Sequence, residues 1–234
     1  MENFDRISSQ NYVPTNEDVL RCREATRVIS EYSVKYKSVI FKFIDVGGQK
    51  SQRRKWLHLM DSVNSILFVI SSIEYDLYLL DNPLKNRLED SLEAFKGIVE
   101  NPILFGDKAY ILFLNKTDML SDKLEEIKAN RKKNIPDEEY ANTIDQYCSD
   151  FTGDPTSLED VQTYLYNKFN QVFTFGQKVA KRSIKLSQKK NFQDYESKLF
   201  CHFTVAVDTK NMKKIFSAVR NTILEANIRT LMLS

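Results

Sequence analysis

Glycine is scarce in this 234-residue chain, with six in all, at positions 47, 48, 97, 106, 153 and 176. None is followed by lysine, so the GxxxxGK[ST] loop that wraps phosphates in backbone amides does not occur within these residues. The three cysteines, Cys22, Cys148 and Cys201, are far apart and not in CxxC spacing. With only His58 and His202 beside them, they match no zinc-ligand pattern, and reduced thiols of a cytosolic protein are expected. No apolar run reaches the roughly 18 residues that cross a bilayer. Residues 1–10, MENFDRISSQ, have neither the apolar core of a secretory signal nor a glycine at position 2 for myristoylation. A net charge of +2 is far from the basic excess of a nucleic-acid binder.

The chain does have apolar residues for a core, at 42% of the sequence, and a length suited to one domain with or without a fragment of another. Residues 1–18 are polar and turn-rich. SEYSVKYK (30–37) alternates in polarity as an edge strand does, and VIFKFIDV (39–46) follows so closely that an antiparallel hairpin is predicted. SILFVISS (65–72), AYILFLNK (109–116) and KLFCHFTVAV (198–207) are the continuous apolar runs of buried parallel strands. Between them, Leu84, Leu88, Leu92, Phe95 and Val99 predict a helix over 84–99. Val161, Leu165, Phe169 and Phe173 predict another over 158–173, opened by a capping box of Thr156 and Glu159. Ile215, Val219 and Ile223 predict a third over 210–226. Strands alternating with helices give an α/β fold with a mainly parallel sheet and ligands at the carboxyl ends of the strands. The basic stretch 175–198 reads as an irregular, solvated loop, or as a contact for an anionic membrane surface or a partner.

Three stretches carry chemistry. In FKFIDVGGQ (41–49), Asp45 ends a strand, where a carboxylate can hold Mg²⁺. Gly47 and Gly48 let the backbone approach an anion, and Gln49 can orient a water. Alone, this pattern also describes a tight turn. Asn115-Lys116-Thr117-Asp118 ends the next-but-one strand. A carboxylate there accepts the paired N–H donors of guanine, which adenine lacks, while the lysine stem lies along the base and the asparagine ties loops together. After the last strand run comes Thr204-Val205-Ala206-Val207-Asp208, whose Ala206 amide could meet the guanine carbonyl or simply cap a helix.

In this order the three motifs resemble the guanine-nucleotide-binding α subunits of heterotrimeric G proteins. DVLRCREAT (18–26) is similar to that family's first switch, and KWLHLMDSVNSILFVISSIEYD (55–76) to its second switch helix and following strand. FTGDPTSLEDVQTYL and the terminal IRTLMLS look most like the Rho-activating class. The resemblance implies a Ras-like GTPase domain, helices on both faces of its sheet, that binds GTP or GDP with Mg²⁺. Arg23, as a built-in arginine finger, and Gln49 would be catalytic. Thr26 and Asp45 would hold the metal. Leu20, Arg21, Arg23, Thr26, Asp45, Val46, Gly47, Gly48, Gln49, Asn115, Lys116, Thr117, Asp118 and Ala206 would contact nucleotide. A βγ complex, a G protein-coupled receptor and a Rho guanine-nucleotide exchange factor would be partners, at the cytoplasmic face of the plasma membrane, peripherally and without nucleic acid. Trp56 would pack in the switch helix, and the cluster Lys50, Arg53, Arg54, Lys55 would be a solvated face or meet βγ or an effector.

The chain departs from the family's pattern. The family's first strand, central in its sheet, is absent from these residues with the phosphate loop, the N-terminal helix and most of the inserted helical domain. Residues 1–17 would be that domain's remnant and linker, and 18–234 the GTPase domain. Val28 stands where the first switch has a glycine, and Val207 where a hydroxyl is common. Two functions follow: a GTP-hydrolysing signal transducer, or a nucleotide-binding-deficient module that competes for receptor, βγ or effector.

Overall fold

The computed structural model describes residues 4–22, 26, 28–36, 39–60, 62–104, 108–133, 142–186 and 197–233. They form two compact units, residues 1–60 and 61–234.

The first unit begins with the short helices α1 (Phe4–Ile7) and α2 (Asn16–Arg21). Thr15 caps α2 by accepting from the Asp18 amide, and Asp18 returns the bond to the Thr15 amide. The same carboxylate takes two hydrogen bonds from Arg6, at 2.8 and 2.6 Å, so α1 is tied to the start of α2. These donors, Arg6 first, hold Asp18 well below the usual carboxylate range. The predicted hairpin follows, with β1 (Ser30–Tyr36) antiparallel to β2 (Val39–Asp45). Its register pairs Tyr32 with Phe43, Val34 with Phe41 and Tyr36 with Val39, so the period-2 pattern gathers aromatic and aliphatic residues on one face. A 3₁₀ segment (Lys50–Lys55) and α3 (Trp56–Met60) complete the unit.

The second unit is a three-layer α/β arrangement. Its sheet has the order β3 (Ser65–Ser71), β4 (Ala109–Asn115), β5 (Leu199–Thr204), all parallel. Every β4 residue before Asn115 is buried, as the unbroken apolar run predicts. One face is covered by α4 (Arg87–Val99) and α7 (Leu158–Leu186), where the rings of Phe68, Phe95 and Phe169 meet in tilted and edge-on contacts with centroids 5.1 to 6.3 Å apart. The other face carries α8 (Thr209–Leu233), whose Ile215 and Val219 pack on Ile111 and Phe113. Among the described residues, α5 (Thr117–Lys132) and α6 (Ile144–Tyr147) lie between β4 and α7 in the chain.

Strand β3 lies at an edge of this sheet. Among the described residues β3 pairs only with β4. Leu67 and Val69 stay 43% and 53% exposed, and the Ser65 and Ser71 hydroxyls are buried without partners. A buried hydroxyl without a partner costs about 1–3 kcal/mol.

Three sequence expectations are corrected. The first predicted helix starts at Arg87 rather than 84, because the Asn86 side chain caps the Leu88 amide; Leu84 lies outside it, exposed. The long helix is capped by Ser157, whose Oγ accepts from the Asp160 amide, and not by Thr156 with Glu159; Thr156 instead donates to Asp154. Finally, the first part of the basic stretch 175–198 is helical. The helix continues to Leu186 because Gly176 and Ala180, small rather than large, extend its buried stripe by one turn after another. A Cβ on Gly176 would overlap Val99 of α4, so the close approach of α4 and α7 requires glycine there. Residues 187–196 of the stretch lie outside the described residues.

Candidate functional site

In the first unit, β2 ends on Asp45, which is exposed, as is Gln49. The turn between them is held by its own carbonyls. The Trp56 indole donates to the Gly47 carbonyl at 3.0 Å, and Arg53 Nε donates to that of Gly48 at 3.2 Å. Trp56 thus uses its polar atom within the protein, as a packed switch-helix residue would, and Arg53 is not merely solvated. Arg53 also lies over the Trp56 ring, 5.9 Å from its centroid. The two glycines differ in their reasons. A Cβ on Gly47 would sit 2.5 Å from the Thr26 carbonyl oxygen, whereas one on Gly48 would meet nothing within 4 Å. Gly47 therefore lets the Thr26 segment pass against the turn, and Gly48 leaves its backbone open to approach.

Thr26 is half-buried beside Gly47, and Val46 is half-buried between Asp45 and Gly47. Leu20 and Arg21 end α2, with side chains outside the described set. Arg23 lies outside the described residues altogether. A hydroxyl and a carboxylate are the donor chemistry of a Mg²⁺ ion that keeps several waters and takes its other oxygens from phosphate. Thr26 and Asp45 fit that chemistry, although the described residues contain no group of three or more His, Cys, Asp or Glu able to enclose a metal.

In the second unit the motif residues meet at Asn115. This residue ends the central strand, level with Ser71 on one side and Thr204 on the other. Its backbone carbonyl accepts from both the amide and the hydroxyl of Ser72, at 2.9 and 2.7 Å. Its side-chain carbonyl accepts from the Thr204 hydroxyl at 2.9 Å and from the Ala206 amide at 3.1 Å. Thr117 adds a bond from its hydroxyl to the Thr204 carbonyl, at 3.2 Å. Four donors from two neighbouring chain segments thus fix one asparagine.

Lys116 follows with φ 64° and ψ 38°, the one left-handed non-glycine among the described residues. Such a conformation costs on the order of 1–3 kcal/mol and persists only where its surroundings hold it. The bonds on Asn115 and the start of α5 at Thr117 are those surroundings. The turn leaves Asp118 exposed in the first turn of α5, and Lys116 Nζ stands 3.9 Å from Glu74. The Ala206 amide, expected to face a guanine carbonyl, is engaged by Asn115 in this structure. Ser72 and Thr204 were not legible as site residues. Ser72 is 1% and Thr204 0% exposed, and only the parallel register reveals that they flank Asn115.

Comparison with known proteins identifies relatives of the chain. Residues 1–223 match the family model described as G-protein alpha subunit. The chain is 40% identical over 233 residues to human guanine nucleotide-binding protein subunit alpha-12, covering 100% of this chain and 52% of that protein. It is 40% identical over 232 residues to the alpha-12 subunit of Caenorhabditis elegans, covering 99% and 56%. It is 36% identical over 233 residues to human subunit alpha-13, covering 100% and 53%. The chain thus spans about half the length of these relatives. Matched by that family model over residues 1–223 and by these relatives over nearly its whole length, the chain belongs to the G-protein alpha subunit family.

Proposed function

We propose that this chain is the guanine-nucleotide-binding part of a signal-transducing GTPase of the Rho-activating class. The observation that carries the reading is the fixing of Asn115 by Ser72, Thr204 and Ala206, which gives the Asn-Lys-x-Asp turn a set shape. Asp118, exposed at the start of α5, accepts the two donors of the guanine edge, and the Lys116 stem flanks the base. The Ala206 amide exchanges its bond to Asn115 for one to the guanine carbonyl. Thr117 joins the two loops and so lies in the nucleotide set. In the first unit, Gln49 orients the attacking water and Arg23 neutralises charge on the transferring phosphoryl group. Gly47, Gly48 and Val46 form the turn that approaches the terminal phosphate, with Leu20 and Arg21 on the preceding stretch. Thr26 and Asp45 would hold Mg²⁺, which when bound would neutralise phosphate charge. Residues 1–17 are read as the end of an inserted helical domain.

The partners that suit this reading are a βγ complex, a receptor and a Rho exchange-factor effector. Its place is the cytoplasmic face of the membrane, held peripherally; no helix among the described residues is long and apolar enough to cross one. The competing reading, a non-catalytic module, draws on the lack of GxxxxGK[ST] within these residues.

Binding of a slowly hydrolysed fluorescent GTP analogue to the 234-residue chain, with Mg²⁺, tests the proposal. Micromolar or tighter binding that competes with GDP but not ADP, and that Asp118→Ala weakens at least tenfold, supports it. Binding indifferent to base or to Asp118 overturns it in favour of the module.

A further inference from the structure

The C-terminal half of α7 carries a second surface, unrelated to the nucleotide residues. Its buried side is Val161, Leu165, Phe169, Phe173, Gly176 and Ala180, and no residue beyond Ala180 is fully buried. The last six residues, Lys181–Leu186, span about 9 Å at 1.5 Å per residue, with Lys181 and Ile184 half-buried and the other four exposed. On the opposite side Phe175, Lys178, Arg182, Lys185 and Leu186 are exposed. At 100° per residue these five fall within roughly a 100° arc of the helix.

Two features set this stripe apart from an ordinary solvated face. Its charge is of one sign: no Asp or Glu occurs between Asp160 and Asp194. Among the described residues Lys178, Arg182 and Lys185 have no carboxylate partner, whereas Lys168, nearer the helix start, pairs with Asp150 at 2.9 Å. A helix C-terminus favours cations within its last turn only, which accounts for Lys185 but not for the other two. The stripe also carries large apolar groups that are exposed among the described residues, Phe175 at 59% and Leu186 at 85%. Cations interleaved with an aromatic and a leucine suit a surface with anionic headgroups above an apolar layer. With a net charge of only +2, the chain as a whole is not drawn to polyanions, so any such attraction comes from a local patch such as this stripe.

We propose that the exposed stripe of α7 docks on an anionic lipid surface, with Lys178, Arg182 and Lys185 at the headgroups and Phe175 and Leu186 in the interfacial layer. The contact needs no nucleotide, so it stands or falls separately from the GTPase reading.

The test is co-sedimentation of the 234-residue chain, without nucleotide, with vesicles of phosphatidylcholine alone or with phosphatidylserine added. Binding only to the anionic vesicles, weakened by salt, is expected. The variant K178E/R182E/K185E should lose affinity on the order of 100-fold, and F175S/L186S should lose part of it. Circular dichroism would establish that both variants keep the wild-type helix content. Reversal of Lys50 and Arg54, in the other basic cluster, should leave binding unaltered. Equal binding to neutral vesicles, equal binding by the triple variant, or capture by acidic protein surfaces with none by anionic vesicles would each overturn the proposal.

Discussion

Ser72 gives both its amide and its hydroxyl to the carbonyl oxygen of Asn115, 43 residues away in sequence, at 2.9 and 2.7 Å. These two hydrogen bonds from the residue just after β3 hold the residue from which the left-handed Lys116 turn departs. Ser72→Ala removes one of the two donors and leaves a buried carbonyl less satisfied, at a cost of about 1 kcal/mol. Guanine-nucleotide affinity, read by fluorescence titration, is expected to fall about fivefold as the turn loosens. Amide exchange at Ala206 should accelerate in Thr204→Val, where Asn115 loses a side-chain donor. An unchanged affinity in both variants would mean that the turn holds itself.

Gly47 and Gly48 are adjacent yet unequal. Gly47→Ala places a methyl against the Thr26 carbonyl and is expected to destabilise by about 1–3 kcal/mol. Gly48→Ala meets nothing within 4 Å and should be close to neutral in stability. Paired urea melts of the two variants decide the matter, and equal midpoints would contradict the contact.

Gly176 sets the distance between α4 and α7. Its added Cβ would meet Val99, which is 0% exposed and cannot turn away. Gly176→Ala should therefore cost about 1–3 kcal/mol. In Val99→Ala/Gly176→Ala the clash is relieved, so the pair should lose less than the sum of the single variants, a coupling measurable in a double-mutant cycle.

His202 on β5 is half-buried, edge-on to the Phe113 ring at 5.9 Å. Burial lowers its pKa from the ordinary value near 6.5. The unfolded chain then takes up a proton at higher pH than the folded one. Its contribution to stability is full above about pH 6.5 and is lost as pH falls through the folded value. Thermal melts between pH 7.5 and about 5 should show this loss in the wild type and a flatter response in His202→Phe. Identical slopes would assign the pH dependence elsewhere.

Much of this architecture was legible residue by residue. Apolar runs located β3, β4 and β5, and alternation located the β1–β2 hairpin, because strand burial is written in neighbouring positions. The Asn-Lys-x-Asp and Asp-x-Gly-Gly-Gln stretches were equally readable as strand ends, and β4 and β2 end at Asn115 and Asp45. The helix over 158–173 fell short at its far end because large apolar residues give way to Gly176 and Ala180, which continue the packed stripe through smallness rather than hydrophobicity. Its cap was misassigned because Thr156 and Ser157 are both competent, and only the backbone path chooses Ser157.

The sequence by itself determined that this is an α/β chain of the G-protein alpha subunit family, through short-range patterns of polarity and motif. Tertiary structure alone decided what holds the Asn-Lys-x-Asp turn. The partners of Asn115 lie 43, 89 and 91 residues from it, and parallel strand register, a property of the assembled sheet, brings them together.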